Sequence, residues 1–101
     1  MKILFHISDL SKWPLLQANI NNILKEDSSL DVSVVANSEA VKIFVDHNNQ
    51  LLDNVNYFVC ANALRANNIE HSALIKNAKV TSSGVYKVAL LQNEGYLYIK
   101  P

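Results

Sequence analysis

Short apolar runs alternate with segments of helical spacing along this 101-residue chain, and that alternation most constrains its fold. The first run, residues 2–7, is nearly continuous in apolar side chains, as expected of a strand that is buried on both faces. Four later runs carry the β-branched and aromatic residues that favour strands. They cover residues 30–36, 56–60, 78–81 and 96–99.

The segments between these runs have the apolar spacing and the end signals of helices. A proline directly after Trp13 favours a helix start, and apolar residues then recur at helical spacing to about Lys25. A second helix is predicted around 40–45, a short third one over 62–67, and a last one over 85–91. Alternating strands and helices with short connections predict right-handed crossovers, a largely parallel five-stranded sheet and helices on both of its faces.

Composition and charge exclude several classes of function. Nine basic and nine acidic side chains leave no net charge, and no dense basic cluster is present, so we expect no nucleic-acid partner. No apolar run approaches the roughly 20 residues of a membrane span, and the first residues lack a signal-peptide pattern, which predicts a cytoplasmic protein without a membrane partner. The length predicts a single domain over residues 1–101.

The cysteine and histidine content limits the chemistry further. A single cysteine excludes an internal disulfide and a Cys-x-x-Cys dithiol site, and it suits a reducing compartment. His47 and His71 fall in predicted polar loops and have no paired spacing with Cys60. We therefore expect no metal site and no cofactor.

Polar side chains and the thiol follow the predicted strands at the points where the strands end. In an open parallel sheet, ligands bind outside the carboxyl ends of the strands, so these residues should collect at one edge. Besides the candidate catalytic residue Cys60, the candidate binding residues are His6, Asn37, Asn62, Arg65, Ser82, Ser83 and Gly84.

Cys60 ends a strand and is followed directly by a predicted helix start. Backbone N–H groups and the positive end of a helix dipole at that junction favour a thiolate, and Arg65, on the same helical face as Asn62, could stabilise it or hold an anion. This reading predicts a partly accessible thiol with a lowered pKa. The alternative is that Cys60 is a small hydrophobic core residue and that Arg65 is merely solvated.

Each of the other candidate residues has a functional and a structural interpretation. Asn62 could contact a ligand or cap a helix, and the turn formed by residues 82–84 could offer N–H groups to an anion or only cap the following helix. His6 could be a proton donor or a hydrogen-bonded structural residue.

The segment Cys60-Ala61-Asn62-Ala63-Leu64-Arg65 resembles the cysteine motif of small, single-domain DsrE/DsrF-like proteins, a family that includes sulfur-relay subunits. The resemblance implies a three-layer α/β/α fold, symmetric trimers or hexamers, and a cysteine that carries sulfur as a persulfide. Only Cys60 corresponds to the relay chemistry. The resemblance extends to residues 5–7, 13–14, 35–37, 83–85 and 95–101.

Two functions are therefore predicted. In the first, the Cys60 thiolate accepts sulfur from a donor protein and passes it to an acceptor protein, which requires one nucleophilic cysteine and no second one. In the alternative, the protein is a non-catalytic oligomeric binding module whose pocket at the strand ends holds a small anion or a partner segment. A dithiol oxidoreductase would need a resolving thiol from another chain.

Overall fold

A five-stranded, all-parallel sheet forms the centre of the computed structural model, which describes residues 1–101. The strands lie in the order β4-β3-β2-β1-β5, so the last strand in the sequence occupies the edge beside the first. The predicted strands are confirmed, and each pairs only with parallel neighbours. Their bounds are Lys2–Ile7 (β1), Asp31–Ala36 (β2), Val55–Cys60 (β3), Ala78–Thr81 (β4) and Leu97–Ile99 (β5).

Three α-helices and three 3-10 helices connect the strands. The α-helices are Trp13–Glu26 (α1), Ala61–Ala66 (α2) and Gly84–Asn93 (α3), and the 3-10 helices cover Leu10–Lys12, Ser38–Val45 and His71–Ala73.

The helix predicted around residues 40–45 is a 3-10 helix, Ser38–Val45. Three residues per turn place Ala40 above Ile43, and Val41 above Phe44, so both buried pairs face the sheet. Asn37 stands at the N-cap position of this helix but makes no side-chain cap hydrogen bond, and its side chain is used elsewhere.

The chain order of the strands decides which helix covers which face. From β1 to β4, each strand is added beside the previous one in the same direction. Right-handed crossovers therefore put the connecting helices on one face of the sheet, here called the α1 face. These helices are α1, the Ser38–Val45 helix and α2. The connection from β4 to β5 returns across the whole sheet and carries α3 over the opposite face, where it contacts β1, β2 and β3. The fold is a three-layer α/β/α sandwich.

The two faces are covered unequally. The main cluster of 20 buried residues lies between the sheet and the helices of the α1 face and extends to Cys60 at the end of β3. The α3 face has a cluster of only three buried residues, Leu4, Val35 and Leu91, with half-buried side chains such as Phe58 around them. Stability therefore comes mainly from the α1 face, and the α3 face is thinly covered.

Tyr57 illustrates how the α1 face is packed. Its ring is 2 % exposed, and its hydroxyl accepts a hydrogen bond from the backbone N–H of Leu52 at 3.2 Å. The Phe44 ring lies between those of Tyr57 and Trp13, with a centroid distance of 5.9 Å to each. Tyr57 is thus a core residue and offers no surface to a partner.

We expect Phe44→Ala to lower the free energy of unfolding by about 3–5 kcal/mol, because the change leaves a cavity between two fixed aromatic rings. Urea denaturation measures the effect. Leu15→Ala is the control, since Leu15 is 46 % exposed and its truncation should cost at most about 0.5 kcal/mol. Similar losses for the two variants would contradict the assigned core.

Candidate functional site

The ends of three neighbouring strands bring a group of polar side chains and the thiol together on the α3 face. Because side chains alternate along a strand, His6 follows Leu4 onto this face, Asn37 follows Val35, and Cys60 follows Phe58. Ile7 pairs with Ala36, and Ala36 with Val59, so Ser8, Asn37 and Cys60 stand side by side, about 4.8 Å from strand to strand. His6, Ser8, Asn37, Cys60 and Gly84 are called the Cys60 cluster below.

The N-terminus of α3 closes this cluster from above through Gly84. A Cβ atom built on Gly84 would lie 3.1 Å from the Cβ of Cys60, 3.3 Å from the Cβ of Asn37 and 3.5 Å from the Cys60 sulfur. Only glycine allows the helix to approach so closely without displacing a neighbour. The Ser83 hydroxyl caps the helix by accepting the N–H of Tyr86 at 3.3 Å, as one reading of the turn predicted.

Cys60 is a free cysteine that is only 6 % exposed. The prediction of a partly accessible thiol is therefore wrong for this fold. The physical reason is tertiary: α3, which follows in the chain after β4, lies directly over the sulfur through Gly84.

His6 is half-buried and tied to the edge strand. Its Nδ1 and the Tyr98 hydroxyl share a hydrogen bond of 2.7 Å, whereas its Nε2 is buried without a hydrogen-bond partner. Burial lowers the pKa of His6 below its ordinary value of 6.5, and the charge of Lys100 lowers it further, while the nearby Asn37 side chain raises it. The imidazole is thus neutral at neutral pH.

Asn37 joins the first two strands at this edge. Its Oδ1 accepts the Ser8 hydroxyl at 2.5 Å. The next residue, Ser38, has a φ of 49°. This left-handed backbone conformation is uncommon for residues other than glycine, asparagine and aspartate. Such local strain is concentrated at functional sites in proteins, and here it begins the Ser38–Val45 helix beside the Cys60 cluster.

The structure does not bring Asn62 and Arg65 into the Cys60 cluster. Both side chains are exposed on α2, where the Arg65 guanidinium donates a hydrogen bond to Asn62 Oδ1. Arg65 also lines a separate open pocket with Glu70 and His71. Ser82 is exposed in the turn before α3.

Two contributors to this edge, Tyr98 and Lys100, were missed among the candidate binding residues. Both belong to β5 or the residues after it, and β5 lies beside β1 with Tyr98 opposite Leu4. The order of the strands is needed to place them, and the sequence pattern does not supply it. Ser8 and Asp9 follow β1 directly, and the rule for strand ends already places both of them at this edge.

Other kinds of site find no support in the geometry. No group of three or more histidine, cysteine, aspartate or glutamate side chains lies close enough together to hold a metal ion. No helix has the length and apolar character that crossing a bilayer requires.

Comparison with known proteins finds a solved structure that resembles the whole chain. No family model and no curated protein matches the chain. A solved structure, that of the protein of unknown function MTH1491 from Methanobacterium thermoautotrophicum, is 30 % identical, has a TM-score of 0.87, and is matched over 99 % of this chain and 98 % of its own. This chain belongs to the same family as MTH1491. Membership of the MTH1491 family establishes the fold and, because MTH1491 is itself of unknown function, no activity.

We expect Gly84→Ala to lower the free energy of unfolding by about 1 kcal/mol, because overpacking of about 1–3 kcal/mol exceeds the gain of up to about 1 kcal/mol that alanine brings to a helix. The Cβ atoms of Cys60 and Asn37 are fixed to their strands and cannot rotate away. Displacement of α3 should also speed alkylation of Cys60 under native conditions.

The matched control is Ala89→Gly, an exposed position in α3 that reports helix propensity alone. It should cost about 0.5–1 kcal/mol and leave the alkylation rate unchanged. A Gly84→Ala protein more stable than wild type would show that α3 does not rest on Cys60.

Proposed function

We propose that the chain is a sulfur carrier that holds a persulfide on Cys60. The observation that supports this proposal is the position of the only thiol beneath the N-terminus of the ten-residue helix α3. The positive end of a helix dipole favours a thiolate or a persulfide anion. The DsrE-like motif that begins at Cys60 points to the same chemistry.

The proposed transfer needs no other cysteine in the chain. The Cys60 thiolate attacks the terminal sulfur of a donor persulfide, a bond forms between the two sulfurs, and the donor leaves as a thiolate while Cys60 becomes a persulfide. An acceptor thiolate then attacks the same terminal sulfur and releases the Cys60 thiolate. Each step exchanges one S–S bond for another, so no net oxidant or reductant is consumed.

Sulfur transfer requires a local opening, since Cys60 is 6 % exposed. The segment above the sulfur is the turn of residues 82–84, whose Ser83 cap and Gly84 contact are the interactions that opening would break. We propose that this turn opens transiently, which admits a small persulfide, and that docking of a donor protein favours the open state. The carrier would act in the cytoplasm, where a free cysteine stays reduced.

Incubation with glutathione persulfide followed by intact mass measurement tests the carrier function. Wild type should gain the mass of one sulfur atom, and Cys60→Ser should gain none. Wild type that has been alkylated at Cys60 after unfolding and then refolded is a second negative control. If folded wild type gains no sulfur while the urea-unfolded chain does, Cys60 is a core residue and the carrier proposal is wrong.

A second candidate function is a non-catalytic oligomeric binding module. The buried state of Cys60 and the exposed apolar side chains of α3 favour it. Val85 is 71 % exposed and Tyr86 66 %, and Leu90 lies on the same helix with 36 % exposed. Apolar side chains on the outer side of a helix are often covered by a partner, which suggests a protein partner on this face.

We propose that this partner is a second copy of the chain and that the protein forms a trimer or a pair of trimers. We expect light scattering coupled to size exclusion to give three or six times the chain mass of 11.3 kDa. Val85→Asp should shift the mass to the monomer, because it buries an unpaired charge in the contact. Leu15→Asp, which places the same charge on an exposed site of α1, should leave the mass unchanged. A wild-type monomer at high concentration would contradict the proposal.

A further inference from the structure

A pocket separate from the Cys60 cluster lies at the carboxyl edge of the sheet, beside β1 and β5. Its volume is about 210 Å³, several times the share of about 30 Å³ that one water molecule takes in the liquid. The pocket lies away from the thiol: neither Cys60 nor Gly84 lines it. Its polar lining consists of His6, Ser8, Asp9, Lys12 and Lys100, with Pro101 beside them.

Two exposed lysines, Lys12 and Lys100, line this pocket. The one lysine ammonium in the chain that donates a hydrogen bond is that of Lys2, to the Glu94 carbonyl oxygen at 3.2 Å, so Lys12 and Lys100 donate none. Lys100 is close enough to His6 for its charge to lower the pKa of the imidazole.

Asp9 is the one carboxylate side chain in the lining, and one of its oxygens is already engaged. Its Oδ1 accepts the Ser11 N–H at 2.9 Å and the Ser11 hydroxyl at 2.8 Å. These hydrogen bonds lower the pKa of Asp9, and the nearby Lys12 charge adds to them. Asp9 therefore offsets part of the charge of Lys12 and leaves Lys100 without a counter-charge from a side chain.

We propose that the pocket binds a small tetrahedral oxyanion, either free or as the end group of a monoester, between the ammonium groups of Lys12 and Lys100. Hydrogen bonds between an ammonium and an oxyanion are about twice as strong as neutral ones, and lysine is a common phosphate ligand in proteins. The binding goes beyond the sulfur-carrier function and does not involve Cys60.

The pH dependence of binding has a definite sign. The groups that face His6 are Tyr98 and Lys100 from the β5 side, Asn37 from β2, and the pocket residues Asp9 and Lys12. A bound dianion stabilises the imidazolium and raises the pKa of His6. By reciprocity, the anion binds more tightly as pH falls through that pKa.

Sulfate is the sharpest probe, because it stays a dianion over the titration range of histidine. We expect sulfate to raise the titration midpoint of the His6 ring protons in NMR spectra, measured against sodium chloride at equal ionic strength. His47, which lines another pocket and contacts the Ala73 carbonyl oxygen, is the internal control whose midpoint should not move. An unmoved His6 midpoint at saturating sulfate would overturn the proposal.

Lysine variants test the assigned ligands. Lys12→Gln and Lys100→Gln should each weaken sulfate binding about tenfold, as loss of one charge-assisted contact predicts. Lys25→Gln, at the other end of α1, is the matched control and should bind like wild type. Equal weakening by all three variants would show a general charge effect and no site. Cys60→Ser should bind sulfate normally, so failure of the carrier proposal leaves this one standing.

Two further measurements identify the ligand and its competitor. Tighter binding of O-phosphoserine than of sulfate would assign the site to a monoester, and the reverse would assign it to a free ion.

Pro101 lines the pocket, so a carboxylate there would compete for the same lysines. Extension by two glycines moves that carboxylate away and should strengthen binding; absence of binding in both forms would refute the site.

Discussion

The close contact between the start of α3 and the end of β3 is the constraint on which the rest of the site depends. α3 is the one α-helix on its face of the sheet, and its first residue, Gly84, rests against Cys60 and Asn37. That contact has two opposite consequences for the thiol. The positive end of the helix dipole lies near the sulfur, while the helix backbone leaves Cys60 only 6 % exposed. A function that uses Cys60 must therefore include movement of α3, and a function that does not can keep the helix fixed.

The unequal covering of the two faces explains why such movement is compatible with stability. Most of the buried apolar surface lies on the α1 face, around Phe44 and Tyr57, and it does not depend on α3. The smaller cluster around Leu91 holds α3 in place. Local opening of a weakly held element costs less free energy than global unfolding, so the start of α3 is the part of this fold best suited to a gating role.

Chemistry at the carboxyl edge is divided between two neighbouring places. The Cys60 cluster lies under α3 and offers a thiol and the Asn37 amide, whereas the pocket beyond β1 is lined by two lysines. His6 belongs to both, because it is the last β1 residue on the α3 face and also lines that pocket. The hydrogen bond between the His6 ring and the Tyr98 hydroxyl ties the ring to β5. The environment of this histidine therefore depends both on an anion in the pocket and on the position of β5.

The sequence by itself determined the strands, the parallel sheet and most of the residues at its carboxyl edge, because apolar periodicity and strand ends are local properties. It placed His6, Asn37 and Cys60 on one edge correctly. It could not determine the strand order, and therefore not the meeting of Tyr98 with His6, nor the covering of Cys60 by Gly84. Helical spacing left open whether Arg65 acts on the thiol or is merely solvated, and in the structure its guanidinium donates a hydrogen bond to Asn62 on the surface. Only the tertiary structure decided these points, because the return of the chain across the sheet between β4 and β5 joins residues far apart in the sequence.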